Sequence, residues 1–247
     1  MRYFITFTYN GAPYHSSQTQ PNGNTVQAEM ETAFATILRE QVPLTFAGRT
    51  DAGVHARMMV AHFDYAETLP GNLVSRLNNL LPPTIAISDI SPVVNDAHAR
   101  FDALTRTYHY SITTRKDPFL VVTHARVADG LDFDTMNDAA QLLLGEQDFA
   151  SFCRVHTDVK TTICRVSEAR WVRVNDTEAY FTITANRFLR NMVRAVVGTL
   201  FEVGKGRMTK EQLADIIAAH NRCRAGHSAP PEGLALVEIT YPKFIYL

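Results

Sequence analysis

The chain of 247 residues is short of several things that would narrow its function at once. It has only three cysteines, Cys153, Cys164 and Cys223, with no CxxC pair. A disulfide framework and a cysteine-rich zinc site are therefore not expected, and a reducing cytoplasm fits best, with the thiols buried or semi-buried. No apolar run approaches the ~20 residues a membrane span needs. The N-terminus, MRYFITFTYN, alternates apolar and polar residues and has no signal-peptide core. A P-loop, a GxGxxG turn and an HExxH pair are all absent, so nothing points to a nucleotide cofactor or a metal. Asp51, His55 and His62 alone offer too few ligands. Net charge is also scarce, at −1, which argues against a protein that coats nucleic acid indiscriminately.

What is present is ordinary globular composition, 46% hydrophobic and 20% charged, enough for one or two domains with a real core. The charge is unevenly spread. Residues 129–148 carry six acids and no base, whereas 187–210 carry Arg187, Arg190, Arg194, Lys205, Arg207 and Lys210 against the single acid Glu202. That local +5 would let one face attract a polyanion, although a solvated helix surface gives the same pattern.

Periodicity supplies the elements. Tyr3, Ile5, Phe7 and Tyr9 recur at period two, so 2–9 is read as a strand. Val26, Met30, Phe34 and Ile37/Leu38 mark a helix over about 25–40, with Asn24 or Thr25 as its N-cap. Strands at 42–47 and 57–65 flank the loop GRTDAGVHA. A short helix around Leu73, Leu77, Leu80 and Leu81 stops at Pro82-Pro83, before a strand at 84–91. The second part reads as a strand at 105–114, a helix at 132–144, a hairpin of 161–174 with 178–185, helices at 188–203 and 209–220, and a strand at 233–241. The expected fold is α+β: two tandem ferredoxin-like βαββαβ units, 1–98 and 99–247, with antiparallel sheets packed into one continuous core around a central cleft.

The most unusual segment is Ala47-Gly48-Arg49-Thr50-Asp51-Ala52-Gly53-Val54-His55-Ala56. Two glycines bracket Arg-Thr-Asp between strands, so the chain can turn sharply and approach a ligand. A carboxylate two residues from a guanidinium can serve as nucleophile, general base or salt-bridge partner, and a plain hairpin turn remains open as well.

GRTDAGVHA resembles the signature of the TruA family of tRNA pseudouridine synthases. The likeness continues through Tyr9-Asn10-Gly11, Tyr14, Gln18, Gln20 and Thr25-Val26-Gln27, then His98-Ala99-Arg100-Phe101 with Arg106-Thr107-Tyr108. It runs on through Phe188-Leu189-Arg190-Asn191-Met192-Val193-Arg194 with Val197-Gly198, and Ala229-Pro230, Gly233-Leu234 and Tyr241-Pro242. One departure stands out: Ser16-Ser17 occupies the place of the family's usual Gly-Trp.

The resemblance implies an isomerase that breaks the N1–C1′ bond of uridine, rotates the base and rejoins it through C5, with no cofactor and no metal. Asp51 matches the catalytic aspartate; attack on the ribose, attack on the uracil and removal of a ribose proton all remain open. Arg194 would pair with Asp51, and Tyr108 would stack on the target base and help move the C5 proton. Arg49 and Leu234 would hold the flipped nucleotide, and Arg187, Arg190, Lys205, Arg207 and Lys210 would contact phosphates. The substrate implied is the tRNA anticodon arm, nominally positions 38, 39 and 40, gripped by a homodimer in the cytoplasm. The competing readings are a non-catalytic RNA-binding protein of two RRM-like units, weakened by the lack of an RRM aromatic run, and a small-molecule enzyme.

Overall fold

The computed structural model describes residues 1–21, 23–154 and 160–247. In chain order its elements are β1 (Arg2–Tyr9), α1 (Val26–Leu38), β2 (Thr45–Phe46), β3 (His55–Asp64), α2 (Leu73–Leu80), β4 (Ile85–Val93) and β5 (Thr105–Thr113). There follow β6 (Ala125–Arg126), α3 (Phe133–Ala140), β7 (Gly145–Asp148), β8 (Ile163–Arg173), β9 (Glu178–Ala185), α4 (Met192–Gly204), α5 (Lys210–Ala218) and β10 (Leu234–Thr240). The class is mixed α+β, as expected from the alternation of periods. No helix among the described residues is long and apolar enough to cross a membrane.

Two compact units are formed, one by residues 1–105 with 235–247 and one by residues 106–234. In the first, β1 lies antiparallel between β4 and β3. The far edge of β3 takes β2 antiparallel at Ala61 and His62, and β10 parallel at His55 and Ala56. Period-two alternation in β1 turns Ile5, Phe7 and Tyr9 inward. Helix α1 covers that face through Phe34, whose ring stands edge-on to Phe63 at 5.1 Å. Its start is fixed by Thr25, whose side chain accepts from the Ala28 N–H, and its end by Arg39 in the left-handed region. The strand pattern leaves Phe4 on the opposite face, yet Phe4 is also buried, because Tyr241 and Tyr246 of the returning C-terminal segment close over it.

The second unit is a sheet in the order β5-β9-β8-β7, antiparallel between β5 and β9, β9 and β8, and β8 and β7, with β6 parallel to β5. Trp171 on β8 packs against Phe133 of α3 and Phe201 of α4, which places both helices on one face. Of the 13 residues of α4, only Arg194 and Glu202 are outside its buried set. The helix expected over 188–203 thus begins four residues later, at Met192, and as a core helix instead of a basic surface one. The bases of the run sit around its ends. Cys153 and Cys164 are buried, but Cys223 is exposed, contrary to expectation.

Candidate active site

The loop 48–54 is anchored by Thr50, the middle residue of its Arg-Thr-Asp. Thr50 is buried at 3% exposure, while Arg49 before it is exposed and Asp51 after it is half-buried. Extended backbone turns successive side chains to opposite sides, so anchoring Thr50 presents its two charged neighbours away from the anchor. The Thr50 N–H donates to Ser17 Oγ at 2.8 Å, and its carbonyl accepts from Ser16 Oγ at 3.1 Å and from the Ser17 N–H at 3.3 Å. Its hydroxyl shares a 2.8 Å hydrogen bond with the Tyr9 hydroxyl.

Beyond Asp51 the chain turns back on itself: the Val54 N–H donates to the Asp51 carbonyl at 3.2 Å, and Gly53 takes φ 75°. A side chain at Gly53 would be strained there. Gly11 packs so tightly beneath the turn that a Cβ would fall 2.0 Å from the Val54 carbonyl oxygen. The Gly11 N–H donates to His55 Nδ1 at 2.9 Å, which fixes His55 as the Nε2–H tautomer at that bond. His62 accepts similarly, from the Ala99 N–H at 3.2 Å. Both histidines singled out beside Asp51 therefore use Nδ1 to hold backbone.

The second unit carries Tyr108, Arg194 and Leu234. Tyr108 is half-buried on β5, and Phe188 stands edge-on to its ring at 5.1 Å and 85°. Two residues along, Tyr110 is fully buried; its hydroxyl donates to the Pro230 carbonyl at 2.9 Å, and burial pushes its pKa up. Tyr108 is thus not the deep-core tyrosine that its neighbour is. Arg194 is the third residue of α4, in its first turn. Its Nε–H donates to the Ala229 carbonyl at 2.7 Å, and its own carbonyl accepts from the Ala229 N–H at 2.9 Å. Leu234 is buried at 6% exposure and opens β10.

Sequence reasoning missed what steadies Arg194. Asn191 sits in the left-handed region at φ 66° as the α4 cap, and its Nδ2 donates to Ser228 Oγ at 2.6 Å. Arg222 also reaches Ser228 Oγ, at 3.0 Å, and the Gly226 carbonyl, at 3.1 Å. The Gly226 N–H donates to Thr199 Oγ1 at 2.9 Å. Residues 222–229 thus form a strap along α4. The signal was present in Gly198 and Gly226, the only residue type that lets two backbones come this close.

The basic candidates divide. Arg187 is half-buried and Arg190 exposed, both just ahead of α4. Lys205 and Arg207 flank Glu202 at 3.0 and 3.6 Å, and together they hold its carboxyl below the usual range, chiefly through the Lys205 hydrogen bond. Lys210 pairs at 2.8 Å with Asp138 on α3, a member of the acidic run.

A mixed α+β protein presenting a carboxylate on a backbone-anchored loop is the class these features define. Comparison with known proteins sharpens it. The family model described as tRNA pseudouridine synthase matches residues 5–102 and 139–242. The chain is 51% identical over 248 residues to tRNA pseudouridine synthase A of Parabacteroides distasonis, covering 99% of this chain and 98% of that protein. It is equally similar, at 51% over 250 residues, to tRNA pseudouridine synthase A of Porphyromonas gingivalis, covering 100% and 99%. The same-named protein of Brevibacillus brevis is 41% identical over 238 residues. The chain belongs to the tRNA pseudouridine synthase family.

Proposed function

We propose that the protein isomerises uridine to pseudouridine in tRNA, breaking N1–C1′, turning the base and rejoining it through C5. The observation that carries this reading is the family match along nearly the whole chain, with GRTDAGVHA inside it. Atoms are conserved in the reaction, so the residues need only hold the nucleotide, activate one bond and relocate one proton.

Asp51 is the proposed catalytic carboxylate. Its support is the loop geometry: a buried, fully bonded Thr50 behind it and a half-buried setting for the carboxylate itself. Arg194 is proposed as its cationic partner, keeping it ionised and aimed; the Ala229 carbonyl at Nε sets the direction of the guanidinium. Tyr108 is proposed to stack on the uracil and assist proton movement at C5, consistent with a half-buried ring braced by Phe188. Arg49 and Leu234 complete the nucleotide site, and Arg187, Arg190, Lys205, Arg207 and Lys210 meet the RNA backbone. The substrate is the anticodon arm at positions 38, 39 and 40, and the enzyme works as a homodimer in the cytoplasm, without cofactor or metal. Two tandem ferredoxin-like units are the proposed scaffold, with residues 235–247 counted in the first, as in the compact units above. In the first, the antiparallel β4-β1-β3-β2 order fits the split βαβ arrangement.

Incubation with unmodified tRNA followed by mapping of pseudouridine tests the reading. The wild-type protein is expected to form product in the anticodon arm, and Asp51→Ala none. Product from Asp51→Ala would remove Asp51 from the catalytic role. Binding by the wild-type protein without product would leave only an RNA-binding module.

A further inference from the structure

The side-chain hydroxyls of Ser16 and Ser17 both bond to the Thr50 backbone. Both are 1% exposed, within the unit that carries the Asp51 loop. Ser17 Oγ accepts from the Thr50 N–H at 2.8 Å, and Ser16 Oγ donates to the Thr50 carbonyl at 3.1 Å while accepting from the Gln18 N–H at 3.3 Å. The two serines therefore grip both faces of one peptide residue from a single short segment. That segment is itself anchored: the Ser16 carbonyl accepts from the Val26 N–H at 3.4 Å and the Ser17 carbonyl from the Gln27 N–H at 3.0 Å, in the first turn of α1. Ser16 also bridges Asp51 in antiparallel register.

From these contacts we propose that Ser16 and Ser17 are positioning residues that lock Thr50, and through it set the direction of the Asp51 carboxylate and the Arg49 guanidinium. Neither serine touches substrate in this role. A rigid helix end is linked to the loop through two hydroxyls and one backbone N–H, so the loop inherits the rigidity of α1. The Gly-Trp pair usual in the family offers no replacement, because glycine has no side chain and an indole N–H only donates. With Gly-Trp in place, the Thr50 N–H would lose its side-chain acceptor.

The proposal rests on the pseudouridine synthase reading, and its test separates the two. Ser16→Ala, Ser17→Ala and the hydroxyl-retaining Ser17→Thr are compared with wild type. Three quantities are read: the single-turnover rate of pseudouridine formation on unmodified tRNA, the tRNA Kd, and the hydrogen-exchange rate of the Thr50 amide in the protein alone. Displacing a reacting group by about 1 Å can cost ~100-fold in rate. Ser17→Ala is accordingly expected to slow turnover by roughly 10- to 100-fold with Kd within about twofold. Thr50 exchange should accelerate by at least about tenfold, and Ser17→Thr should restore most of both. Ser16→Ala, which keeps the Thr50 N–H bonded, should show a smaller loss. An unchanged rate in Ser17→Ala, a loss carried wholly by Kd, or a slowed rate with Thr50 exchange as in wild type would each overturn the clamp. A wild-type protein that forms no pseudouridine would overturn the functional reading instead; Thr50 exchange would then still decide whether the serines hold the loop.

Discussion

His62 shows how one side chain makes folding depend on pH. Its ring is 7% exposed, its Nδ1 accepts from the Ala99 N–H, and its edge meets His98 with centroids 4.5 Å apart. Burial first, then the nearby Arg2 and His98, lower its pKa to about 4, against the weaker pull of Asp64 and Asp102. The unfolded chain binds that proton from pH 6.5 downward, whereas the folded chain resists until about 4. The neutral ring's contribution is therefore complete above pH 6.5 and is withdrawn as pH falls from 6.5 to 4. Roughly 1–2 kcal/mol should be lost by pH 5. His62→Gln keeps an acceptor for Ala99 and does not titrate. Urea denaturation at pH 7.5, 6 and 5 should show a shallower decline for His62→Gln than for wild type. Equal slopes would mean that other groups carry the acid sensitivity.

At the level of elements, α4 and its strap decide whether Arg194 is held. A Cβ on Gly198 would lie 1.7 Å from the His227 carbonyl oxygen, backbone that cannot swing aside as a side-chain tip can. Gly198→Ala should push 226–229 off the helix, weaken the Arg194–Ala229 pair and cost about 2–4 kcal/mol by denaturation. Gly48→Ala, with nothing within 4 Å, is the control and should be near neutral. A stability of Gly198→Ala equal to that control would show that the strap yields easily. The contrast also marks what was legible in the sequence. Helix α4 could be read because apolar residues recur at helical spacing, but being apolar nearly all round it was read with the wrong surface. Strand β7, Gly145–Asp148, was missed because GEQD has neither β-branched residues nor alternation; only the register with Cys164 and Arg165 makes it a strand. The Asp51 loop could be found from its glycines and charges. Its anchor could not, since nothing local announces that two serines more than thirty residues upstream bond to Thr50.

Over the whole molecule, the near-zero net charge conceals a basic stretch of which the C-terminal half is engaged with acids. Lys205 and Arg207 share Glu202, and Lys210 meets Asp138 from the acid-rich run, so the +5 counted along residues 187–210 is not +5 offered to solvent. Such exposed pairs are weak, on the order of 0–1 kcal/mol each, so RNA phosphates can displace the carboxylates at modest cost. If Lys205 and Arg207 are phosphate contacts, Glu202 competes with the substrate. Glu202→Gln should then tighten tRNA binding several-fold at low salt, because two cations no longer have to leave a carboxylate before meeting a phosphate. Changing Lys205, Arg207 and Lys210 together to Ala should weaken binding and flatten the dependence of log Kd on log salt by about one to three counterions. The two variants move affinity in opposite directions only if the patch faces the RNA. Filter binding from 50 to 300 mM salt measures both. An unchanged slope in the triple variant, together with no gain in Glu202→Gln, would place the phosphate contacts elsewhere, with Arg187 and Arg190 ahead of α4 as the remaining candidates.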